Sequence, residues 1–175
     1  MDQDFHDTDT FSISHPALTD YKKCVFTEFC PKVFFEIRRL DGIGENYLDS
    51  LGPDGLSKLL TGQVASFRGQ GSTGKSGSFF FNTHDGKYLV KTIKSSEKDL
   101  LQRNVGNVYQ YFKTEGPRTL IAKIMSFFEI ELTSLDGTET LRHYLIVMKN
   151  IFANPVIKNN FEYDLKGALY QRMAT

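Results

Sequence analysis

Apolar residues between positions 21 and 40 recur at spacings of three and four. Such spacing is typical of a helix with one apolar side. The residues that carry it are Val25, Phe26, Phe29, Val33, Phe34, Ile37 and Leu40. Pro31 interrupts the pattern, because proline breaks a helix interior but is accepted in a first turn. The pattern therefore predicts one helix that ends near Cys30 and a second that starts there and stops at Asp41-Gly42. One more helical turn is predicted at residues 46–51.

A β-type pattern follows the helical region. Residues 63–68 predict one strand, and two runs rich in aromatic and β-branched residues, 78–83 and 88–93, predict two more. Residues 84–87 separate the last two runs and contain the dipeptide Asp85-Gly86, a strong turn signal. These two runs therefore predict a β-hairpin.

Helical spacing returns at residues 95–113. Ser95 and Ser96 are predicted to cap this helix, because short hydroxyl side chains can accept hydrogen bonds from the free N–H groups of a first turn. The Glu-Gly-Pro sequence at 115–117 is predicted to end it. Two further strands are predicted at residues 120–130 and 141–148.

The predicted elements form an α+β fold with an antiparallel sheet. Residues 1–20 are polar and acidic, so this part is expected to be a flexible N-terminal segment, and residues 21–175 are expected to form one domain. Equal numbers of acidic and basic residues give a net charge of zero, and no nucleic-acid partner is expected. Cys24 and Cys30 lack metal-ligand spacing, so no zinc site is expected.

The sequence GQGSTGKSGS, from Gly69 to Ser78, fits two phosphate-binding patterns. One is the P-loop, G-x-x-x-x-G-K-S, and the other is the glycine-rich loop G-x-G-x-x-G. In both, glycine lets backbone N–H groups approach phosphate oxygens closely. A P-loop is followed directly by a helix whose N-terminus faces the phosphate. Because a hairpin is predicted after this loop, the sequence favours the second pattern over a P-loop NTPase.

Lys91 stands inside the second predicted strand after the loop, beside Val90 and Ile93. A lysine among apolar strand residues is ordinarily an edge residue that keeps only its charged end in water. Here it follows a strand, a glycine loop, a strand and a turn, which is the order in the small lobe of a kinase. In that arrangement the lysine contacts the nucleotide phosphates, so Lys91 is a candidate catalytic residue.

Several motifs together resemble the phosphatidylinositol phosphate kinase family, and phosphatidylinositol-4-phosphate 5-kinases in particular. They occur in the order GKSGSFF, YLVKTI, SSEKDLL, EGPRTLIAKI, LIVMKNIF and YDLKGALYQR, and the resemblance extends over roughly residues 25–175. It implies the N-terminal lobe of a kinase-like domain, with the helix after residue 94 as the C helix. It also implies ATP and Mg²⁺ as cofactors, and a phosphoinositide lipid on the cytosolic face of a membrane as the substrate. A peripheral cytoplasmic location and a homodimer are further expectations.

The resemblance also implies site residues. The phosphate-covering loop falls on Gly74, Lys75, Ser76, Gly77 and Ser78, and the phosphate-binding lysine is Lys91. The adenine-binding hinge falls on Asn150, Ile151 and Phe152. The segment that enters the cleft or contacts the headgroup falls on Asp164, Lys166 and Arg172.

Three departures from the family pattern are visible. Ala168 replaces a family serine, and residues 98–114 contain no glutamate to pair with Lys91. The catalytic and metal-binding aspartates of the large lobe are expected beyond Thr175, so the large lobe is expected to be absent and the 175-residue chain inactive as a lipid kinase. The alternative is a non-catalytic interaction module derived from such a kinase. Five basic residues of the first helical region are interpreted as a solvated helix face: Lys22, Lys23, Lys32, Arg38 and Arg39.

Overall fold

The computed structural model describes residues 2–13, 18, 20–44, 46–51, 78, 80–83, 85–151 and 153. A short 3-10 turn, Asp2–Phe5, comes first and is called the N-terminal turn below. The remaining elements in chain order are β1 (Thr8–Ile13), β2 (Tyr21–Phe29), α1 (Pro31–Leu40), α2 (Asn46–Leu51), β3 (Phe80–Asn82), β4 (Tyr88–Ile93), α3 (Ser95–Glu115), β5 (Ile124–Ser134) and β6 (Thr140–Lys149). The predicted strand at 63–68 lies outside the described residues.

All six described strands form one antiparallel sheet, in the order β1-β2-β5-β6-β4-β3. The α+β fold class predicted from the sequence is therefore confirmed. β5 and β6 form its centre, and β1 and β3 are the outer strands of the described sheet. Both faces of this sheet carry clusters of buried apolar side chains.

The helix predicted before Cys30 is wrong, because Tyr21–Phe29 is a strand. β2 runs between β1 and β5 and contributes to the core on both faces of the sheet. Cys24 and Phe26 pack into one core cluster and Phe29 into the other. Apolar residues on both faces of a strand produced spacings that matched a helix. The second helix is confirmed, with Pro31 at its first position.

The prediction of a flexible segment over residues 1–20 is also wrong for residues 2–13. β1 pairs along its whole length with β2, from Thr8 opposite Phe29 to Ile13 opposite Cys24. Most of its side chains are exposed, because β1 is an outer strand, and Phe11 stacks on Phe26 with 5.1 Å between ring centroids. The polar composition reflects this exposed position.

The hairpin predicted around Asp85-Gly86 is confirmed. β3 and β4 pair antiparallel, Gly86 has a positive φ of 70°, and the Asp85 carboxylate accepts hydrogen bonds from Thr83 Oγ1 (2.7 Å) and Ser50 Oγ (2.5 Å). Within described residues 80–93 there is no helix of the kind that a P-loop requires. The P-loop interpretation is therefore not supported.

The other predicted elements are confirmed with shifted ends. α3 starts at Ser95 as expected, but the capping residue is Lys94, whose backbone N–H donates to Glu97 Oε2 at 2.8 Å. Ser95 and Ser96 are thus helical. The predicted strand at 120–130 begins only at Ile124 and continues to Ser134.

Two apolar clusters cover the two faces of the sheet. One lies under α2 and includes Tyr88, Val90, Leu145 and Val147. The other lies under α1 and α3 and includes Phe29, Phe127 and Ile146 of the sheet. The β4 and β6 residues of the first cluster are almost fully buried. In the second cluster the one β4 residue is Ile93, which is only partly buried. The β4 end of the second face is therefore the more open part.

Candidate functional site

Lys91 lies at this open end of the sheet. It is opposite Phe80 of β3 on one side and Ile146 of β6 on the other. Directly opposed residues share a sheet face, so all three side chains project from the face that α1 and α3 partly cover. Lys91 Nζ is 5.7 Å from the centroid of the Phe80 ring. The Lys91 ammonium group thus lies among apolar groups and over an aromatic ring.

An apolar platform surrounds the lysine. Leu89 is opposite Met148, and Ile93 is opposite Tyr144, on the same face as Lys91. These four residues are partly buried, whereas Val90 on the reverse face is fully buried. A partly open apolar surface that carries the Lys91 cation suits a ligand that combines a flat apolar part with negative charge.

The pairing of Lys91 differs from that in protein kinases. Glu97 caps the start of α3, and Asp99 pairs with Lys98 at 3.1 Å. Lys98 Nζ itself lies over the rings of Phe29 (5.9 Å) and Tyr144 (5.6 Å). Within the part of the chain that the structure describes, no carboxylate forms an ion pair with Lys91. The missing glutamate noticed in the sequence therefore has no described substitute.

Asn150 joins the predicted hinge to the β3–β4 turn. Its backbone N–H donates to Lys87 O at 2.9 Å, and its side-chain Nδ2 donates to Gly86 O at 2.8 Å. Asn150 comes four residues after Ile146, or roughly 13 Å along an extended strand. Ile151 follows and is 65% exposed. The structure thus places Asn150 and Lys91 on the β4 side of the sheet, at levels that differ by four residues along the strands.

Ser78 is the one loop candidate among the described residues. It is buried and lines an open pocket of about 410 Å³ beside Thr92, Ile93 and Tyr144, at the end of β4 that leads into α3. Phe80, two residues further on, is opposite Lys91. Eight other candidates lie outside the described residues: Gly74, Lys75, Ser76, Gly77, Phe152, Asp164, Lys166 and Arg172. Ala168 lies outside them too.

Sequence reasoning missed a carboxylate that holds two lysines. Asp41, just after α1, forms ion pairs with Lys123 through Oδ1 and with Lys149 through Oδ2, the latter at 2.9 Å. Burial alone would raise the pKa of Asp41, but the hydrogen bonds from both lysines outweigh it and hold the pKa below its ordinary value. Lys149 directly precedes Asn150, so Asp41 fixes the start of the predicted hinge. Only the dipeptide Asp41-Gly42, which predicts a helix stop, marks this position in the sequence.

The five basic residues near the start of the chain do not form one solvated helix face, so that interpretation of the sequence is wrong. Lys22 and Lys23 are exposed on β2. The other three lie on α1 and are paired: Lys32 with Asp4 and Asp7, Arg38 with Glu28, and Arg39 with Glu36. Arg38 is largely buried, and its guanidinium donates to Met125 O at 2.6 Å and to Ser126 Oγ at 2.9 Å.

The described ranges contain no metal-binding group and no membrane-spanning helix. No group of three or more His, Cys, Asp or Glu side chains there could hold a metal ion. Cys24 and Cys30 are both buried free thiols. None of the described helices is long and apolar enough to cross a membrane.

Comparison with known proteins adds the family. Residues 62–175 match the family model described as Phosphatidylinositol-4-phosphate 5-Kinase. The chain is 30% identical over 170 residues to a phosphatidylinositol 4-phosphate 5-kinase of Plasmodium falciparum, a match that covers 96% of this chain and 10% of that protein. It is 31% identical over 159 residues to phosphatidylinositol 4-phosphate 5-kinase 6 of Arabidopsis thaliana (89% and 20%), and 30% identical over 156 residues to the human type-1 alpha protein (89% and 24%). The chain thus spans between about a tenth and a quarter of the length of these relatives.

Proposed function

The chain belongs to the phosphatidylinositol-4-phosphate 5-kinase family, and from this premise we propose that it forms the nucleotide-binding lobe of an ATP-dependent phosphoinositide kinase. One observation carries the proposal. Lys91 projects from the partly open face of the sheet, without a carboxylate partner among the described residues, and Asn150 lies on the same side of the sheet, four residues further along the strands. That position suits a cation that receives nucleotide phosphates while the base is held near residue 150.

Each candidate residue then has a proposed role. Lys91 contacts the α- and β-phosphates, and the loop from Gly74 to Ser78 covers the phosphates with backbone N–H groups. The buried position of Ser78, two residues before Phe80, supports the placement of the loop's end near Lys91. Asn150, Ile151 and Phe152 hold the adenine ring, and Asn150 is kept in position by its hydrogen bonds to the β3–β4 turn.

The proposed reaction moves the terminal phosphoryl group of ATP to a hydroxyl of the lipid headgroup. Phosphoryl transfer depends mainly on positioning and on neutralising charge, to which Mg²⁺ contributes when it is bound. The described residues offer no metal ligand set, so their proposed roles concern phosphate and nucleotide binding alone. Asp164, Lys166 and Arg172 are proposed to contact the headgroup or line the cleft. Action at the cytosolic membrane surface, and a homodimer, belong to the same proposal.

The proposed division of roles assigns nucleotide binding to this lobe, and the catalytic and metal-binding aspartates to the large lobe that the resemblance implies. We therefore expect the 175 residues, tested by themselves, to bind ATP but not to phosphorylate phosphatidylinositol phosphate. The test uses vesicles that contain phosphatidylinositol 4-phosphate, with radiolabelled ATP and Mg²⁺, and measures nucleotide binding and lipid labelling in parallel. Saturable binding without labelled lipid agrees with the proposal, whereas lipid turnover by this protein contradicts the proposed division of roles. Absence of any ATP binding contradicts the nucleotide-binding role.

A further inference from the structure

The N-terminal turn packs across two helices that come much later in the chain. The Phe5 ring rests against Gly106 of α3, where a Cβ atom would come within 3.7 Å of its carbons. Its centroid is 6.4 Å from that of Tyr109, one helical turn further on. Phe5 also joins the apolar cluster under α1 and α3. The ring thus lies at ordinary van der Waals distance from the position that a Cβ atom at Gly106 would occupy.

Polar contacts tie the same turn to the start of α1. Lys32 Nζ lies 3.1 Å from carboxylate oxygens of both Asp4 and Asp7. The backbone N–H of Cys30 donates to Asp7 O at 2.8 Å, and the Cys30 thiol donates to Phe5 O at 3.0 Å. The turn therefore bridges α1, through polar contacts, and α3, through its aromatic ring.

The far end of α3 approaches the row of residues that contains Lys91. Lys98, in the first turns of α3, places its Nζ 5.6 Å from the Tyr144 ring. Tyr144 is opposite Ile93, which is two residues from Lys91 on the same sheet face. A displacement of α3 would therefore change the packing around Tyr144 and Ile93, the residue pair next to Lys91 on this face.

We propose that residues 2–7 act as a strap that fixes α3 against α1, and that Phe5 is a positioning residue for the nucleotide site. The effect on nucleotide binding rests on the function proposed above, whereas the effect on α3 does not. The strap is separable from the core, because an open pocket of about 170 Å³ remains beside Phe5, between Lys32, Val33 and Tyr109. Its charged contacts are also exposed, with 66% of the Lys32 side chain accessible. Loosely packed surface segments open more easily than core elements.

Amide hydrogen exchange of the 175-residue protein tests the strap directly. Phe5→Ala should reduce protection in α3 by roughly tenfold and leave β5 and β6 unchanged, because only the helix loses its anchor. The same variant should weaken the binding of an ATP analogue severalfold. Phe11→Ala is the matched control, since Phe11 stacks on Phe26 of β2, away from the Phe5 contact with α3. Unchanged exchange in α3, or equal losses across the whole sheet, would overturn the strap.

A pair of substitutions at Gly106 provides an independent readout. Gly106→Ala should preserve α3 protection, because its Cβ would make ordinary contact with the Phe5 ring. Gly106→Leu should displace the ring and reduce protection as Phe5→Ala does. Adding Phe5→Ala to Gly106→Leu should then produce little further loss, and fully additive losses would contradict the contact. Lys91→Met should weaken nucleotide binding without changing exchange in α3, which separates failure of the proposed function from failure of the strap.

Discussion

The side-chain amide of Asn150 donates a 2.8 Å hydrogen bond to the carbonyl oxygen of Gly86. This contact joins the segment after β6 to the tight turn between β3 and β4, 64 residues earlier in the sequence. The backbone N–H of Asn150 adds a second bond to Lys87. The hinge predicted from the sequence is thus anchored to the hairpin that carries Lys91.

Asn150→Ala should therefore loosen the hinge. Loss of the side-chain hydrogen bond is expected to lower the free energy of unfolding by about 1 kcal/mol and to weaken ATP binding as well. Asn107→Ala is the matched control, because Asn107 is exposed on α3 and its amide contacts its helix neighbour Asn104. Urea denaturation and nucleotide titration measure the two effects. A variant that binds ATP like the wild type would show that Asn150 has no part in the nucleotide site.

Arg38 and Arg39 are neighbours on α1, but they are expected to contribute very unequally to stability. Arg38 is 12% exposed, stacks its guanidinium 4.4 Å from the Tyr47 ring centroid and pairs with Glu28. Burial raises the pKa of Glu28, although Arg38 and a hydrogen bond from Ser126 lower it. Arg38→Met leaves this carboxylate without its cation and should cost about 3–5 kcal/mol of stability.

Arg39→Met should change stability far less than Arg38→Met, because Arg39 is 63% exposed and pairs with Glu36 on the surface, where solvent screens the ion pair. Chemical denaturation of the two variants under one set of conditions makes the comparison. Equal losses would show that the network around Arg38 contributes no more than an ordinary surface pair.

Asp41 should make the protein sensitive to acid. Its pKa is held below the ordinary value of 3.8, so the folded state binds fewer protons than the unfolded state as the pH falls through this range. The stabilisation is complete above about pH 5 and is lost as the pH falls through 3.8 and below. Asp41→Asn removes this titrating group. Its unfolding free energy should therefore fall less steeply than that of the wild type between about pH 5 and pH 3.

Lys149→Met tests the same ion pair from the other side. With one of its two lysines removed, Asp41 should have a pKa closer to its ordinary value. The free energy of unfolding should then fall less steeply with decreasing pH than in the wild type. Denaturant unfolding followed across the pH range measures all three proteins. Identical slopes in wild type and Asp41→Asn would contradict a folded-state role for this carboxylate.

Local sequence signals predict an element correctly where its structure depends on residues close to it in the sequence. Pro31 begins α1 and Asp85-Gly86 forms the hairpin turn, as predicted, because the backbone preferences of proline and glycine act within a few residues. The apolar spacing in β2 predicts a helix instead of a strand, since Phe26 and Phe29 pack on opposite faces of a sheet that only the tertiary fold supplies.

The candidate site likewise contains residues that local sequence signals predict and residues that they do not. Lys91 can be found from its strand and from the glycine loop before it. Asp41 cannot, because its partner Lys149 is 108 residues away and no local pattern joins them. The strap is hidden for a related reason. The acidic composition of residues 1–20 resembles that of an unstructured segment, whereas the packing of Phe5 on Gly106 and the contacts of Lys32 and Cys30 show an ordered turn.

The role of Lys91 is the central claim, and the affinity of the 175-residue protein for ATP tests it most directly. Lys91→Met keeps the apolar stem and removes the charge, and Lys22→Met, on the exposed side of β2, is the matched control. Loss of a charged contact to phosphate should weaken ATP binding by about 10- to 100-fold in Lys91→Met and leave Lys22→Met unchanged. Equal affinity for ATP in wild type and Lys91→Met would contradict the account.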